Sequence, residues 1–258
     1  MKFILNNNNI IHFNKVESTN DLAEKILIEK KPDEFTVITT DFQLKGRGVG
    51  KNMWESEPSK NILMSMILYP HFLDPANQFM LNKVASLAVS DTLEDMLNRA
   101  DIKIKWPNDV YVENKKIAGI LSRNMITGNE FSTCIVGIGL NVNQVQFSSH
   151  LPDPVSMARI SCSVFDRNQV LIHLINRIYD YYQKLKSADY ERIDNKYLSL
   201  LLNYQSPALF QSGKEVFEGI IIGVDSFGLL MVNVGNEIRK FNMKEIKLLT
   251  KSTNHENC

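Results

Sequence analysis

Lys105-Trp106-Pro107-Asn108-Asp109, followed by Val110-Tyr111-Val112, Glu113-Asn114-Lys115 and Lys116-Ile117-Ala118-Gly119-Ile120-Leu121, is the stretch whose reading decides the fold. Alternating Ile102, Ile104 and Trp106 read as a strand entering a turn at Pro107-Asn108, and the two runs that follow read as an antiparallel hairpin. The hairpin carries a carboxylate, Asp109, and an ammonium, Lys116, on neighbouring strands. At about 3.3 Å per residue the two start roughly 10 Å apart along the sheet, a gap that a long lysine side chain and a bridging ligand can close. Asp can hold a divalent cation while Lys offers a point charge to phosphate or carboxylate oxygens, so the pair suits an anionic substrate with a metal. Taken alone, the segment reads more simply as a turn with solvated charges.

Upstream, residues 10–16 read as a first strand, and Glu17-Ser18-Thr19-Asn20-Asp21 supplies hydroxyl and amide groups where a helix should begin, ending before Pro32. Ser18 or Thr19 serves either as its N-cap or as a hydrogen-bonding partner for a polar ligand head. The β-branched run Phe35 to Thr40 is a strand. It leads into Gln43-Leu44-Lys45-Gly46-Arg47-Gly48-Val49-Gly50-Lys51, a mobile loop of amides and cations able to fold around an anion. The loop has no Walker pattern and opens no helix, because Trp54-Glu55-Ser56 leads to Pro58 and a strand from Asn61 to Tyr69. A long helix from Asn77 to Arg99 reads as structural.

Downstream, Phe131 to Ile138 is a buried strand leading into Gly137-Ile138-Gly139-Leu140-Asn141, where small residues beside an Asn suit either a purine or ribose or a tight bend. Residues 144–158 read as a surface loop with His150 exposed, and Asn168 is expected to cap a helix carrying Leu171, Leu174, Ile175, Ile178, Tyr181, Tyr182 and Leu185. A second helix runs from about Asp189 to Leu202. Beyond Pro207 the pattern changes to short strands, Glu215 to Val224, Leu229 to Val234 and Glu237 to Phe241, which suggest a small barrel. The expected domains are 1–206, 207–250 and a disordered tail, 251–258.

The chain has 258 residues and 29 Lys+Arg against 29 Asp+Glu, so no basic excess points to nucleic acid, and any anion site must be local. Cys134, Cys162 and Cys258 are widely spaced without a Cys-x-x-Cys pair, which indicates neither a disulfide framework nor a zinc site. The apolar run Phe3-Ile4-Leu5 is too short for a signal-peptide core, and no run approaches a membrane span. The expectation is a soluble cytoplasmic protein without membrane association.

Five pieces in one order, Ser18-Thr19-Asn20, Gln43 with Gly46-Arg47-Gly48, Lys105 to Asp109, Lys116 to Leu121 and Gly137 to Asn141, resemble the bacterial biotin protein ligases, or biotin–[acetyl-CoA-carboxylase] ligases, over nearly the whole chain. The resemblance implies an α+β fold: a mixed β-sheet flanked by helices, related to class II aminoacyl-tRNA synthetases, with a C-terminal SH3-like β-barrel. It implies activation of biotin with MgATP to biotinyl-5′-adenylate and pyrophosphate, then transfer to a lysine of the biotin carboxyl carrier protein. Carried over residue by residue, Ser18, Thr19 and Gln43, with Asn20 nearby, line the ureido-ring site. Gly46, Arg47, Gly48 and Val49 form the biotin-binding loop around the carboxylate and the adenylate phosphate. Lys116 contacts the reacting oxygens and Gly119 offers its backbone. Asp109 helps place Mg2+, and Lys105, Asn108, Asn141 and Trp54 serve the nucleotide side. Lys116 and Arg47 are the expected catalytic residues.

Residue chemistry agrees independently. Joining a carboxylate to a phosphate brings two anions together, so cations must cancel their repulsion, and no side-chain nucleophile is needed. Two departures stand out. Val49 replaces the family's usual second arginine in the loop, which predicts a leakier adenylate, with Lys51 as a substitute cation. Only about one strand precedes Ser18, so the form expected is one lacking the N-terminal DNA-binding domain. The rival readings are a lipoate protein ligase, whose Arg-Arg and Gly-Gly-Gly signatures are missing, and a non-catalytic biotin or adenylate sensor. The oligomeric state is open, a homodimer included.

Overall fold

The strand from Ile62 to Leu68 (β3) is buried at every position, because helices cover both faces of the sheet it crosses. In this computed structural model, residues 9–50, 52–99 and 101–249 are described. β1 (Ile10–Phe13), β2 (Thr36–Thr40), β3, β4 (Ile102–Lys105), β5 (Asp109–Val112), β6 (Lys115–Thr127) and β7 (Glu130–Leu140) form one seven-stranded sheet in the order β1-β2-β3-β7-β6-β5-β4. The first pair is parallel and every other pair antiparallel. α1 (Thr19–Glu29) covers one face, burying Ala23 and Ile26 on Ile38, Ile67 and Ile135. α2 (Phe79–Leu97) and α4 (Arg167–Lys186) cover the other, above Val37, Met64, Met66 and Val136. α5 (Tyr190–Leu200) packs on the outer flank of α2.

The decisive hairpin forms as expected, with Glu113 and Asn114 at positive φ in a two-residue turn whose twist matches the strands. A bulge then shifts the β5–β6 register, so that Tyr111 faces Lys116 but Asp109 faces Gly119. In a flat strand residues three apart point to opposite faces. The extra residue lets Lys116 and Gly119 face the same cleft while Ile117 and Ala118 both enter the core.

β8 (Pro207–Ser212), β9 (Glu215–Val224), β10 (Leu230–Val234), β11 (Glu237–Phe241) and β12 (Lys247–Leu249) form a second, antiparallel sheet in the order β11-β10-β9-β8-β12. The barrel expected from the sequence is thus a five-stranded sheet. Among the described residues no ladder joins its outer strands β11 and β12. Phe217 stacks between Phe210 and Phe241 at 5.9 and 5.8 Å. The sheet docks on the larger one through Gly228, whose carbonyl accepts from Trp106 Nε1 at 3.0 Å and whose Cα lies against the Phe79 ring.

Two sequence expectations are corrected. Asp166, not Asn168, caps α4, its carboxylate accepting from the amides of Asn168 and Gln169. The region 144–158 is not all surface: Gln144, Val155, Ser156, Met157 and Ala158 are buried. The reason is long-range pairing, since the Lys116 amide donates to the Asp153 carbonyl and the Lys116 carbonyl accepts from the Val155 amide, and α3 (Met157–Ser161) follows at once. His150 is exposed as expected, but its Nε2 lies 3.4 Å from Glu55 Oε2. The proposed roles of Lys51 and of the tail 251–258 lie outside the described residues. Among those residues no helix is long and apolar enough to cross a membrane.

Candidate functional site

Ser18 caps α1, its Oγ accepting from the Asp21 amide, and this fixes Thr19 and Asn20 in the first helical turn with only 4% of each exposed. Their polar groups are knitted into the sheet. Thr19 donates to Gln43 Oε1 from both its amide (2.7 Å) and its hydroxyl (3.1 Å), and Asn20 Nδ2 donates to the Leu121 carbonyl at 3.0 Å. Ser65 of β3, which the sequence reading missed, stands 2.7 Å from Thr19 Oγ1 and 2.5 Å from Asn20 Oδ1. These residues form a neutral floor rich in hydrogen-bonding groups.

The glycine-rich loop is a small hairpin. The Gly48 amide donates to Asn52 O and the Trp54 amide to Gly46 O, both at 2.9 Å, and Gly50 at φ +70° makes the turn. At Gly46 a Cβ would meet the Trp54 carbonyl at 2.3 Å, so only glycine allows this approach. The hairpin swings Trp54 across the sheet onto Gly139 and Gly119, whose missing side chains make the slot that its ring fills.

The floor, the glycine-rich hairpin and the turn Pro107-Asn108-Asp109 enclose a cleft of about 190 Å3. Of the residues singled out from the sequence, Ser18, Thr19, Asn20, Gln43, Arg47, Gly48, Val49, Trp54, Asn108, Asp109, Lys116 and Gly119 all line it. Gly46 is not among the residues that line it. Lys105 and Asn141 do not line it. Lys105 lies over the Tyr111 ring, where burial lowers its pKa against the pull of Asp109. Asn141 is buried, and its Nδ2 donates to the Val155 carbonyl, tying β7 to the segment that pairs with Lys116.

The charges in the cleft are paired. Lys116 Nζ contacts Asp109 Oδ1 directly at 2.8 Å, so no ligand is needed to bridge them. Arg47 Nε lies 3.0 Å from Asp21 Oδ2, and Arg123 reaches the other Asp21 oxygen at 2.7 Å while also holding Glu24. Burial pushes the Asp21 carboxyl up, but the hydrogen bonds from Arg123 and Arg47 prevail and leave it below the usual carboxylate range. Arg123 was missed in the sequence because β6 was expected to end at Leu121; continuing its alternation by two residues reaches it. Among the described residues no three His, Cys, Asp or Glu side chains cluster to cage a metal. The lone carboxylate of Asp109 fits the other mode, in which Mg2+ arrives on phosphates, keeps most of its waters and takes one protein oxygen.

A sheet of this topology is found in the biotin protein ligase from Aquifex aeolicus solved in complex with biotin and ATP, which is matched at a TM-score of 0.77 and 28% identity over 93% of this chain and 98% of that one. The profile described as the biotin/lipoate A/B protein ligase family matches residues 13–143, and the chain belongs to that family. It is also similar to the bifunctional ligase/repressor BirA of Bacillus subtilis, 28% identical over 93% of this chain and 74% of the relative. A further relative is the biotin–[acetyl-CoA-carboxylase] ligase of Paracoccus denitrificans, 28% identical over 74% of this chain and 80% of that protein.

Proposed function

We propose that this chain is a biotin protein ligase: it joins biotin to AMP from MgATP, releases pyrophosphate, and passes the biotinyl group to a lysine of a biotin carboxyl carrier protein. The observation that carries this reading is one cleft lined both by a neutral hydrogen-bonding floor, Thr19, Asn20 and Gln43, and by the cations Arg47 and Lys116. A ureido ring donates and accepts hydrogen bonds and can add to such a floor, whereas the dithiolane of lipoate has none to offer it. Ser18, Thr19, Asn20 and Gln43 hold the ring, and Gly46, Arg47, Gly48 and Val49 close over the valerate.

In the first half-reaction a biotin carboxylate oxygen attacks the α-phosphorus, and the bond to pyrophosphate breaks. Arg47 and Lys116 screen the approaching anions and then hold the charge that grows on the phosphoryl oxygens. Asp109 orients the Lys116 ammonium and would hold Mg2+ brought with the nucleotide, which neutralises phosphate charge when bound. In the second, the acceptor amine attacks the biotinyl carbonyl and AMP leaves. Asn108 and Trp54 serve the nucleotide side within the cleft, and Lys105 and Asn141 act from behind it. Residues 1–206 form the catalytic unit in this reading and 207–250 the smaller one. The reaction draws on ATP, which assigns it to the cytoplasm.

The test incubates the purified protein with MgATP and either biotin or lipoate, with mass spectrometry of the products. Biotinyl-adenylate from biotin, and no lipoyl-adenylate, is expected; the reverse result would sink the proposal. A sensor would bind biotin yet make no adenylate, but it would have no use for the Lys116–Asp109 pair. Val49 lines the cleft on the loop that closes over the intermediate. Val49→Arg is therefore expected to slow adenylate release by about tenfold, a charge-assisted hydrogen bond to phosphate being worth about 1.5 kcal/mol or more. Equal release rates from both proteins would refute the effect.

A further inference from the structure

Arg47 is the cation on the glycine-rich hairpin, and the backbone alone places its Cα. The amides of Leu44 and Lys45 donate to the Val16 and Glu17 carbonyls at 2.9 and 2.8 Å, and the amides of Gly48 and Trp54 close the hairpin. None of these bonds constrains the Arg47 side chain. It is 55% exposed, and its rotamer freedom has to be given up before it can meet an oxyanion in one geometry.

The first turn of α1 supplies the constraint. Asp21 Oδ2 accepts from Arg47 Nε at 3.0 Å, and the other carboxylate oxygen accepts from Arg123 of β6 at 2.7 Å. Arg123 also donates to Glu24 of α1 at 2.8 Å, so the carboxylate is braced by the sheet and not by the loop. Arg47 lines the cleft and Asp21 does not. The bond uses Nε alone: among the described residues the terminal nitrogens of Arg47 have no partner. A guanidinium is a rigid planar fork, so fixing Nε also fixes the edge left over for a carboxylate or phosphate. An ion pair this exposed adds little to stability, and its use is therefore geometric. Thr19 and Asn20 sit in the same helical turn, which thus registers the floor against the loop cation.

We infer that Asp21 is a positioning residue for Arg47: braced by Arg123, it holds the guanidinium by Nε so that the free edge meets the biotin carboxylate and the adenylate phosphate. The inference rests on the biotin ligase reading and gives Asp21 and Arg123 a part in it. The opposite use of the same contact is competition, with Asp21 occupying Arg47 until a substrate displaces it. A bond that takes Nε and leaves the terminal nitrogens open favours positioning.

The test is a double-mutant cycle in the full-length chain with Asp21→Ala, Arg47→Ala and the two combined. It reads the rate of biotinyl-adenylate formation, the dissociation constant of supplied biotinyl-adenylate, which needs no turnover, and thermal stability. Asp21→Ala alone is expected to slow adenylate formation and weaken adenylate binding by about tenfold, yet to change neither by more than about twofold when Arg47 is already alanine. The melting temperature should fall by no more than about 2–4 °C, since Arg123 keeps Glu24. An equal loss with and without Arg47 overturns the inference, because Asp21 then acts by another route. Faster formation or tighter binding in Asp21→Ala overturns it in favour of competition, and unchanged kinetics overturn it as well. Each of these results in an active enzyme leaves the ligase reading standing. If the unmodified protein forms no biotinyl-adenylate, the ligase reading and this inference fail together.

Discussion

Lys116→Ala is expected to cut the rate of biotinyl-adenylate formation by about a hundredfold to a thousandfold, the usual effect of removing one preorganised group from a developing charge. The fold should barely notice. The Lys116 and Asp109 side chains are 28% and 24% exposed, and a pair so close to water contributes no more than about 1 kcal/mol. For a chain of this size that is a fall of about 2–4 °C in melting temperature. Biotin binding without nucleotide should also persist, because the proposed ring site, Ser18, Thr19, Asn20 and Gln43, lies on other elements and is braced by Ser65. Pyrophosphate release, calorimetric biotin binding and a melting curve on the same preparation separate these outcomes. Normal biotin-dependent pyrophosphate release would remove Lys116 from the reaction. Joint loss of biotin binding and stability would recast it as a structural residue.

The reason Lys116 can do this was half legible in the sequence. Apolar alternation in residues 102–121 marks three strands and a tight turn, and the hairpin follows from it. What alternation cannot reveal is the bulge, because an added residue breaks the period of two on which the reading depends. The roughly 10 Å expected between the two backbones along the sheet is closed by the lysine side chain itself, which contacts Asp109 at 2.8 Å without a bridging ligand.

The other misses share a cause: they depend on partners far away in the chain. Residues 144–158 look polar and proline-marked, yet Val155 to Ala158 are buried because the segment bridges to Lys116 at Pro154. β8 and β12 went unread because their residues are mostly half-exposed or exposed, with Leu209 43% exposed, so no strong apolar pattern announces them. Ser65 did leave a signal. It is the one hydroxyl in Ile62–Leu68, an otherwise apolar run, and a polar side chain in a strand buried on both faces must find a polar partner.

Gly137→Ala tests that floor from the opposite side. A Cβ on Gly137 would stand 2.3 Å from Asn20 Oδ1 and 2.6 Å from its Nδ2, so one methyl group and the Asn20 amide cannot share the space. Asn20 has little room to retreat. Its Nδ2 is held by the Leu121 carbonyl on β6, its Oδ1 faces Ser65 on β3, and only 4% of the residue is exposed. Displacing it should cost about 1–3 kcal/mol of stability through overpacking. It also misaims the polar groups beneath the ligand ring, for which a fall in biotin affinity of about 10–100-fold is expected, since each unpaired buried group costs about 1–3 kcal/mol. Ser65→Ala supplies the control: it removes a hydroxyl from the same network without adding volume, so it should weaken biotin binding less and keep Asn20 in place. Calorimetry with biotin on both variants decides the matter. Full affinity in Gly137→Ala would mean that Asn20 moves aside freely and that the floor is not the ring site.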